Sequence, residues 1–395
     1  MEKEKYVECI KTKDANPYFI LSTPIHMDND SMYYKKLKTI YKSIYYDFSK
    51  LELKGKSYFL EQLKKTSDDI LSVVDNYYKG NLLDALNIMD DLISDLMDSH
   101  YAVSTMNESL AFKDFNSLKN KINNTNEINL YRARVESNCT KIRRENMLHL
   151  PFEKRTKLSP NRFGIAGLPC LYLGSSSYCC WLEMNMPADN VFNVSCVVVD
   201  QTKKILNLVM NSSTMNEIYN RIDNKIEKMQ SLKLWLLNTA TSFIVEEENR
   251  KFKSEYIVSQ LLMLSCKKKN LYGVAYYTKK VENDYFAVGY GVNLAVFANY
   301  QENSELSPIC EDMKVTNSMN YSLFKNLNLG FIDNIGFKMD ENNNRKEIGV
   351  NIDKISCFKN IGNFDRQNGY CSTDFYKLDK YLFINLYDEL KNLEV

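Results

Sequence analysis

Three side chains in the stretch NRFGIAGLPCLYLGSSSYCCWLEM, residues 161 to 184, could do chemistry together: Arg162, Tyr172 and Glu183. They stand at nearly even intervals in a run that is otherwise mostly apolar or small. An arginine suits a phosphate, because its planar fork donates two parallel hydrogen bonds. A tyrosine offers a flat face to a heteroaromatic ring. A carboxylate can stabilise the positive charge that develops on a sugar carbon when a glycosidic bond breaks. Spacing alone leaves a plainer reading open, since an Arg near a Glu is commonly an ion pair and a Tyr in a strand is commonly core.

These residues need elements to position them. CLYLG is too short for a helix and sits between Pro169 and the serines 175 to 177, so it is predicted to be a buried strand. Ser176 or Ser177 then caps a short helix carrying Trp181 and Glu183, while Arg162 approaches from the glycine-containing loop in front. After about residue 125 the texture is one of short β-favouring runs: INLYRARV, VFNVSCVVVD, KILNLVM, GVAYYT and NLAVFA. Helical segments are expected between them at 214–229, 231–247 and over EYIVSQLLMLSCKKK, whose apolar face carries Ile257, Leu261 and Leu264.

Upstream the pattern is helical. Tyr33, Leu37, Ile40, Ile44 and Phe48 recur at three and four positions behind Ser31, a candidate cap. A second helix follows Ser57 with Leu60, Leu63, Ile70, Val73 and Tyr77 on one face, and a third stripe runs from Leu82 to Leu96. Residues 1–120 are therefore expected to form a separable helical bundle with solvated charges and no catalytic residue, serving regulation or assembly. Residues 125–395 are expected to form the catalytic domain, with its core at about 128–300. Its extension, 302–395, holds short strand candidates and the polar turn DENNNRK. The fold class is α+β, a mixed β core with helices preceded by the bundle.

Composition limits the partners. Lysine plus arginine (51) nearly cancels aspartate plus glutamate (50), so no global field gathers nucleic acid or an anionic membrane. The N-terminus lacks the apolar core of a secretory signal, and no apolar run approaches the roughly 20 residues of a membrane helix, so a cytoplasmic protein is expected. The ten cysteines include no CxxC pair, and none of His26, His100 and His149 lies within four residues of a cysteine. No bound metal is expected, and the cysteines are read as reduced, mostly buried thiols.

Five segments in order, LYRAR at 130–134, HLPFEKRTKLSPNRFGIAGLPCLYLG with CWLE at 149–183, FKSEYIVSQLLM at 252–263, GVAYYT at 273–278 and NLAVF at 293–297, resemble the RES domain. The resemblance covers about 170 residues, and the R-x9-Y-x10-E spacing through Arg162, Tyr172 and Glu183 is its most specific part. It implies an ADP-ribosyltransferase-like fold that takes NAD+ as substrate and cleaves the nicotinamide–ribose bond, with water or inorganic phosphate as acceptor. Many members of that family are toxins of toxin–antitoxin pairs. By resemblance, Arg132 and Arg162 hold phosphates or ribose, Tyr172 stacks on the nicotinamide, and Glu183 supports the oxocarbenium-like transition state. The family serine falls at Thr278, which keeps the hydroxyl and adds a methyl. Because nicotinamide leaves as a neutral group from a cationic one, such a site needs neither histidine nor metal.

Other readings stand beside this one. RENMLH, with Arg144 and His149 five apart, matches the R-x4-H pattern of HEPN ribonucleases, but it ends against Pro151 rather than lying in the bundle. The same site could deliver ADP-ribose to a protein side chain, or Thr278 could mark an inactive interaction protein. GYG at 289–291 is read as a turn. An NAD+-consuming enzyme needs restraint, by an antitoxin, by homo-oligomerisation or by the helical region.

Overall fold

The computed structural model describes residues 7–11, 17–21, 23–51, 55–112, 127–136, 142–210, 215, 218–219, 223–247, 250–280, 291–327, 338–339, 345–346, 370 and 373–391. The chain opens with a hairpin, β1 (Val7–Lys11) and β2 (Pro17–Leu21), and a short strand β3 (Ile25–Met27). Helices α1 (Tyr33–Ser49), α2 (Lys56–Tyr78) and α3 (Leu82–Ser94) follow, where the apolar spacing places them. Their starts differ in detail: Ser31 bonds Asn29 rather than capping α1, and α2 begins directly after Gly55, ahead of Ser57.

Next come β4 (Val103–Thr105), β5 (Glu127–Val135), β6 (Cys170–Gly174), α4 (Ser177–Glu183), β7 (Phe192–Asp200) and β8 (Lys204–Asn207). Then come α5 (Lys225–Thr241), β9 (Phe243–Val245), α6 (Ile257–Lys268), β10 (Gly273–Tyr277), β11 (Val292–Phe297), β12 (Lys314–Val315) and β13 (Met319–Asn320). Helices α7 (Tyr321–Lys325) and α8 (Asp374–Lys391) flank a short antiparallel pair, Lys338–Met339 with Arg345–Lys346. The second of the expected middle helices thus starts and stops earlier than 231–247, because its last residues turn into β9, which pairs in parallel with β3. Of the helix expected at 214–229, residues 214, 216–217 and 220–222 lie outside the described residues and 225–229 begin α5, and residues 340–344 of the polar turn also lie outside the described residues.

One mixed sheet organises the molecule, in the order β12-β7-β5-β6-β11-β10-β8-β4 with β13 also on β7. All its pairs are antiparallel except β8 with β10. Strands β7, β10 and β11 read as near-continuous apolar runs because both their faces are covered. One face, carrying Leu171 and Val197, packs against Met106 and Phe112. The other carries two layers side by side, one built with α4 and α8 and one with α1, α2, α3, α5 and α6.

That last layer is one cluster of buried side chains drawn from both the N-terminal helices and the later helices, which therefore share a hydrophobic core. Phe48 of α1 lies 6.5 Å from the Trp235 ring of α5, and the Tyr33 and Tyr41 hydroxyls donate to the Ala240 and Leu236 carbonyls. Lys268 of α6 pairs with Asp90 of α3 at 2.5 Å. β4, from the region read as purely helical, is the last strand of the main sheet. Helices from before residue 120 and from after it thus bury side chains against one another.

Candidate functional site

The site rests on three adjacent strands. The register Gly174↔Asn293 and Asn293↔Tyr276 sets these residues in a row across β6, β11 and β10, with Tyr172, Ala295 and Val274 in the next row on the same face. Gly174 has no side chain, and a Cβ there would lie 2.8 Å from the Cys180 sulfur, so α4 descends onto the sheet at this point. Ser176 caps that helix by accepting from the Cys179 N–H at 3.0 Å, as its position before the apolar turn predicts.

Glu183 is the last residue of α4 and is exposed. The Asn293 Nδ2 donates to its Oε1 at 2.7 Å, while the Asn293 Oδ1 accepts from the Cys179 thiol at 3.4 Å. Asn293 itself is 4% exposed. A buried amide in an apolar strand thus fixes the carboxylate over the sheet.

Arg162 arrives from the other side. Its guanidinium stacks on Tyr276 with 4.7 Å to the ring centroid, and it donates from Nη1 to the Tyr277 carbonyl (3.1 Å) and from Nη2 to Thr241 Oγ1 (3.4 Å). Its Nε is buried with no hydrogen-bond partner. Burial pushes its pKa down to about 10, against the opposing pull of Tyr276 and Glu183. Two of the three nitrogens are thus spent on the protein's own oxygens.

Tyr172 is half-buried, and its hydroxyl points under the loop, so that a Cβ at Gly164 would meet it at 2.9 Å. A larger residue at position 164 would have to displace the tyrosine hydroxyl. Thr278 follows β10 and extends its ladder through its N–H to the Gly291 carbonyl at 2.8 Å. Its hydroxyl oxygen accepts from the Lys280 N–H at 3.2 Å, turning the chain. Gly291 is the only residue of GYG among those described.

Arg132 has a different place. Alternation along β5 sets Tyr131 on the α4 side and Arg132 on the opposite one. There β5 and β6 touch at a single register pair, Tyr131↔Gly174, and Arg132 bridges the gap by donating from Nη1 to the Tyr172 carbonyl at 3.0 Å. Burial and the neighbouring Arg134 lower its pKa to about 10. Arg162 thus acts on the charge of both Tyr172 and Glu183, Thr278 stands just beyond β10, and Arg132 lies behind the backbone of Tyr172.

Sequence reasoning missed Asn293, Tyr276 and Lys279. The amide within the buried run VNLAVF was the legible signal. Lys279 lies beside Thr278, donates to the Phe243 carbonyl at 2.6 Å, and has its pKa pushed well down by burial and by Arg162.

Cys170, Cys179 and Cys180 lie on these same elements. Burial raises the thiol of Cys179 strongly and those of Cys170 and Cys180 to about 12. His149 is equally committed: its Nε2 accepts from the Ser307 N–H at 2.9 Å, so Nδ1 donates to the Leu150 carbonyl at 2.8 Å. With both ring nitrogens on backbone, nothing in the structure favours the R-x4-H reading. Among the described residues no group of three or more His, Cys, Asp or Glu is placed to hold a metal, and no helix is long and apolar enough to cross a membrane.

No family model matches the chain. A protein of Bacillus subtilis (strain 168) named "Putative toxin YopC" is 34% identical over 155 residues, which make up 37% of this chain and 35% of that protein. The chain thus spans about a third of the length of this curated relative. A solved structure, the crystal structure of the M.tuberculosis MbcT-MbcA toxin-antitoxin complex, contains a chain with 13% identity and a TM-score of 0.27. That likeness covers 51% of this chain and 88% of the other.

Proposed function

We propose that this protein cleaves the bond between nicotinamide and ribose in NAD+, with water or inorganic phosphate as acceptor, and that it acts as a toxin. The observation that carries the reading is an exposed carboxylate, Glu183, oriented by the buried Asn293 amide beside the Arg162–Tyr276 stack. Relatedness to a protein named as a toxin, over the matched 155 residues, supports the second half.

Each group has a role in this chemistry. Asn293 holds Oε1 and so fixes the plane of the carboxylate, leaving its other oxygen for the ribose. As the glycosidic bond stretches, positive charge grows on the sugar carbon, and a fixed anion stabilises that state more than the ground state. The leaving nicotinamide needs no proton. Arg162 chiefly fixes the loop, through Tyr277 and Thr241, and lends positive charge near Glu183. Arg132 shapes the strand under Tyr172 rather than touching the dinucleotide. The ADP-ribosyltransferase-like fold belongs to the same proposal, as does restraint in the cell by an antitoxin or by self-association.

The test is direct. Incubation with NAD+, with and without phosphate, followed by separation of products, should release nicotinamide. ADP-ribose-1″-phosphate formed only with phosphate identifies phosphorolysis, free ADP-ribose identifies hydrolysis, and label retained on protein identifies a protein ADP-ribosyltransferase. No nicotinamide from folded protein overturns the reading.

A further inference from the structure

The N-terminal helices sort their charges by sign. Within α1 the lysines Lys35, Lys36, Lys38 and Lys42 stand against one carboxylate, Asp47, whereas α3 carries Asp84, Asp90 and Asp91 and no lysine or arginine. The chain as a whole nearly balances its charges, so this separation is a matter of placement and not of composition. Burial of Leu37, Ile40 and Ile44 turns Lys35, Lys38 and Lys42 outward, and burial of Ala85, Met89 and Leu92 turns out Asp84 and Asp91; all five are exposed. Helix α2 packs against both α1 and α3 and separates them, so the two charged faces cannot meet within one molecule.

Helix stability does not explain these charges. Lys35 lies in the first turn of α1 and Asp91 in the last turn of α3, each at the end where the macrodipole disfavours its sign. Lysines three and four positions apart also repel one another along α1. Nor are the faces purely polar. Leu83, beside Asp84, is 71% exposed, and Tyr46, one turn past Lys42, is 58% exposed with the Lys50 ammonium 3.8 Å from its ring centroid. Apolar side chains exposed within a charged rim suit a contact surface.

The two faces also match in spacing. Lys35 and Lys42 are seven positions apart, as are Asp84 and Asp91, which is two helical turns or about 10 Å. Asp90 and Asp95 are already held by Lys268 and Lys233, which leaves Asp84 and Asp91 to a partner. Laid antiparallel, with Lys42 on Asp84 and Lys35 on Asp91, such helices also bring Tyr46 toward Leu83. We propose that the α1 face of one copy of this chain docks on the α3 face of a second copy. Because the two faces differ, the contact is head-to-tail, and it builds a ring or a filament according to whether its rotation closes. A polyanion such as single-stranded DNA fits the lysines but leaves the acidic face without a role. The contact needs nothing from the NAD+ reading.

Sedimentation velocity of the full chain, over a range of protein concentrations at about 0.05 M and about 0.5 M salt, tests this. The wild type should associate at the lower salt and come apart at the higher, where exposed charges are screened. The double variants Lys35→Glu/Lys42→Glu and Asp84→Lys/Asp91→Lys should each weaken self-association about tenfold or more, since like charges then face each other. An equimolar mixture of the two should associate again, because each reversed face meets its complement; misfolding would not be repaired by mixing. If a reversed variant does not fold, Lys35→Gln/Lys42→Gln or Asp84→Asn/Asp91→Asn is read in its place and should likewise weaken association. A wild type that stays monomeric at the lower salt, a folded variant that associates like the wild type, or reversed variants that stay apart when mixed overturn the proposal. Binding of single-stranded DNA that Lys35→Glu/Lys42→Glu abolishes, with no self-association, gives the α1 face to a polyanion and overturns it as well.

Discussion

Glu183 and Asn293 meet at 2.7 Å, and their separate contributions can be told apart. Glu183→Gln keeps the shape but removes the charge that matters as the ribose carbon becomes cationic. Nicotinamide release should fall on the order of 10²–10³-fold while equilibrium NAD+ binding stays close to wild type. Asn293→Ala leaves the carboxylate present but loose, so the fall should be smaller. Equal losses in both variants would mean that orientation, not charge, is limiting. His149 gives a prediction of another kind. Burial holds its pKa below the ordinary value, so the folded chain keeps it neutral while the unfolded chain takes up a proton as pH falls through about 6.5. Its contribution therefore makes stability decline toward acid across that window, by at most about 1.4 kcal/mol per pH unit. Urea melts at pH 7.5 and 5.5 should show a shallower decline for His149→Gln than for the wild type.

The site helix α4 is held at its start from two sides. Ser176 caps its start, and α8 clamps it from outside: Asp379 accepts from the Ser177 N–H at 3.0 Å and from the Tyr370 hydroxyl at 2.8 Å. The Tyr131 hydroxyl reaches the Asp379 carbonyl, and Phe375 stacks on Tyr321 with centroids 4.6 Å apart. The C-terminal helix thus belongs to the frame that aims Glu183, although it stands almost 200 residues away in sequence. Asp379→Ala should cost about 1–3 kcal/mol in denaturant unfolding, since it strands two buried donors. Because the freed helix carries Glu183, turnover should drop while the affinity for NAD+ changes little. A variant as stable and active as wild type would show that α4 needs no clamp.

At the scale of the molecule the question is whether the N-terminal helices fold apart from the rest. Their side chains lie in the same core as α5, α6 and the sheet. Phe48, 1% exposed and set against Trp235 and Tyr219, is a probe of that junction. Phe48→Ala should destabilise by about 3–5 kcal/mol. Unfolding followed by tryptophan fluorescence and by loss of NAD+ cleavage should shift together, in a single transition. Two separated transitions, with only one moved, would restore an independent N-terminal domain. On the same grounds, removing residues 1–120 should leave a fragment that does not fold, because it bares the apolar faces of α5 and α6.

The local pattern of the sequence determined the elements nearest the chemistry. An apolar pentapeptide after Pro169 makes β6, a serine before an apolar turn caps α4, and the i, i+3, i+4 stripes make α1, α2, α3 and α6. The spacing of Phe375, Leu378 and Leu382 made α8 equally readable, though it was not among the expected elements. These features are legible because capping and periodic burial act over a few residues. Only the tertiary structure decided the rest. Asn293 meets Glu183 across 110 positions, and Arg132 and Arg162, alike in sequence, diverge in role because one fills the gap between two splayed strands and the other stacks on Tyr276. Which stripes share a core is likewise a matter of packing: an amphipathic face specifies that it must be covered, and every apolar partner satisfies that demand about equally until shape and register choose among them.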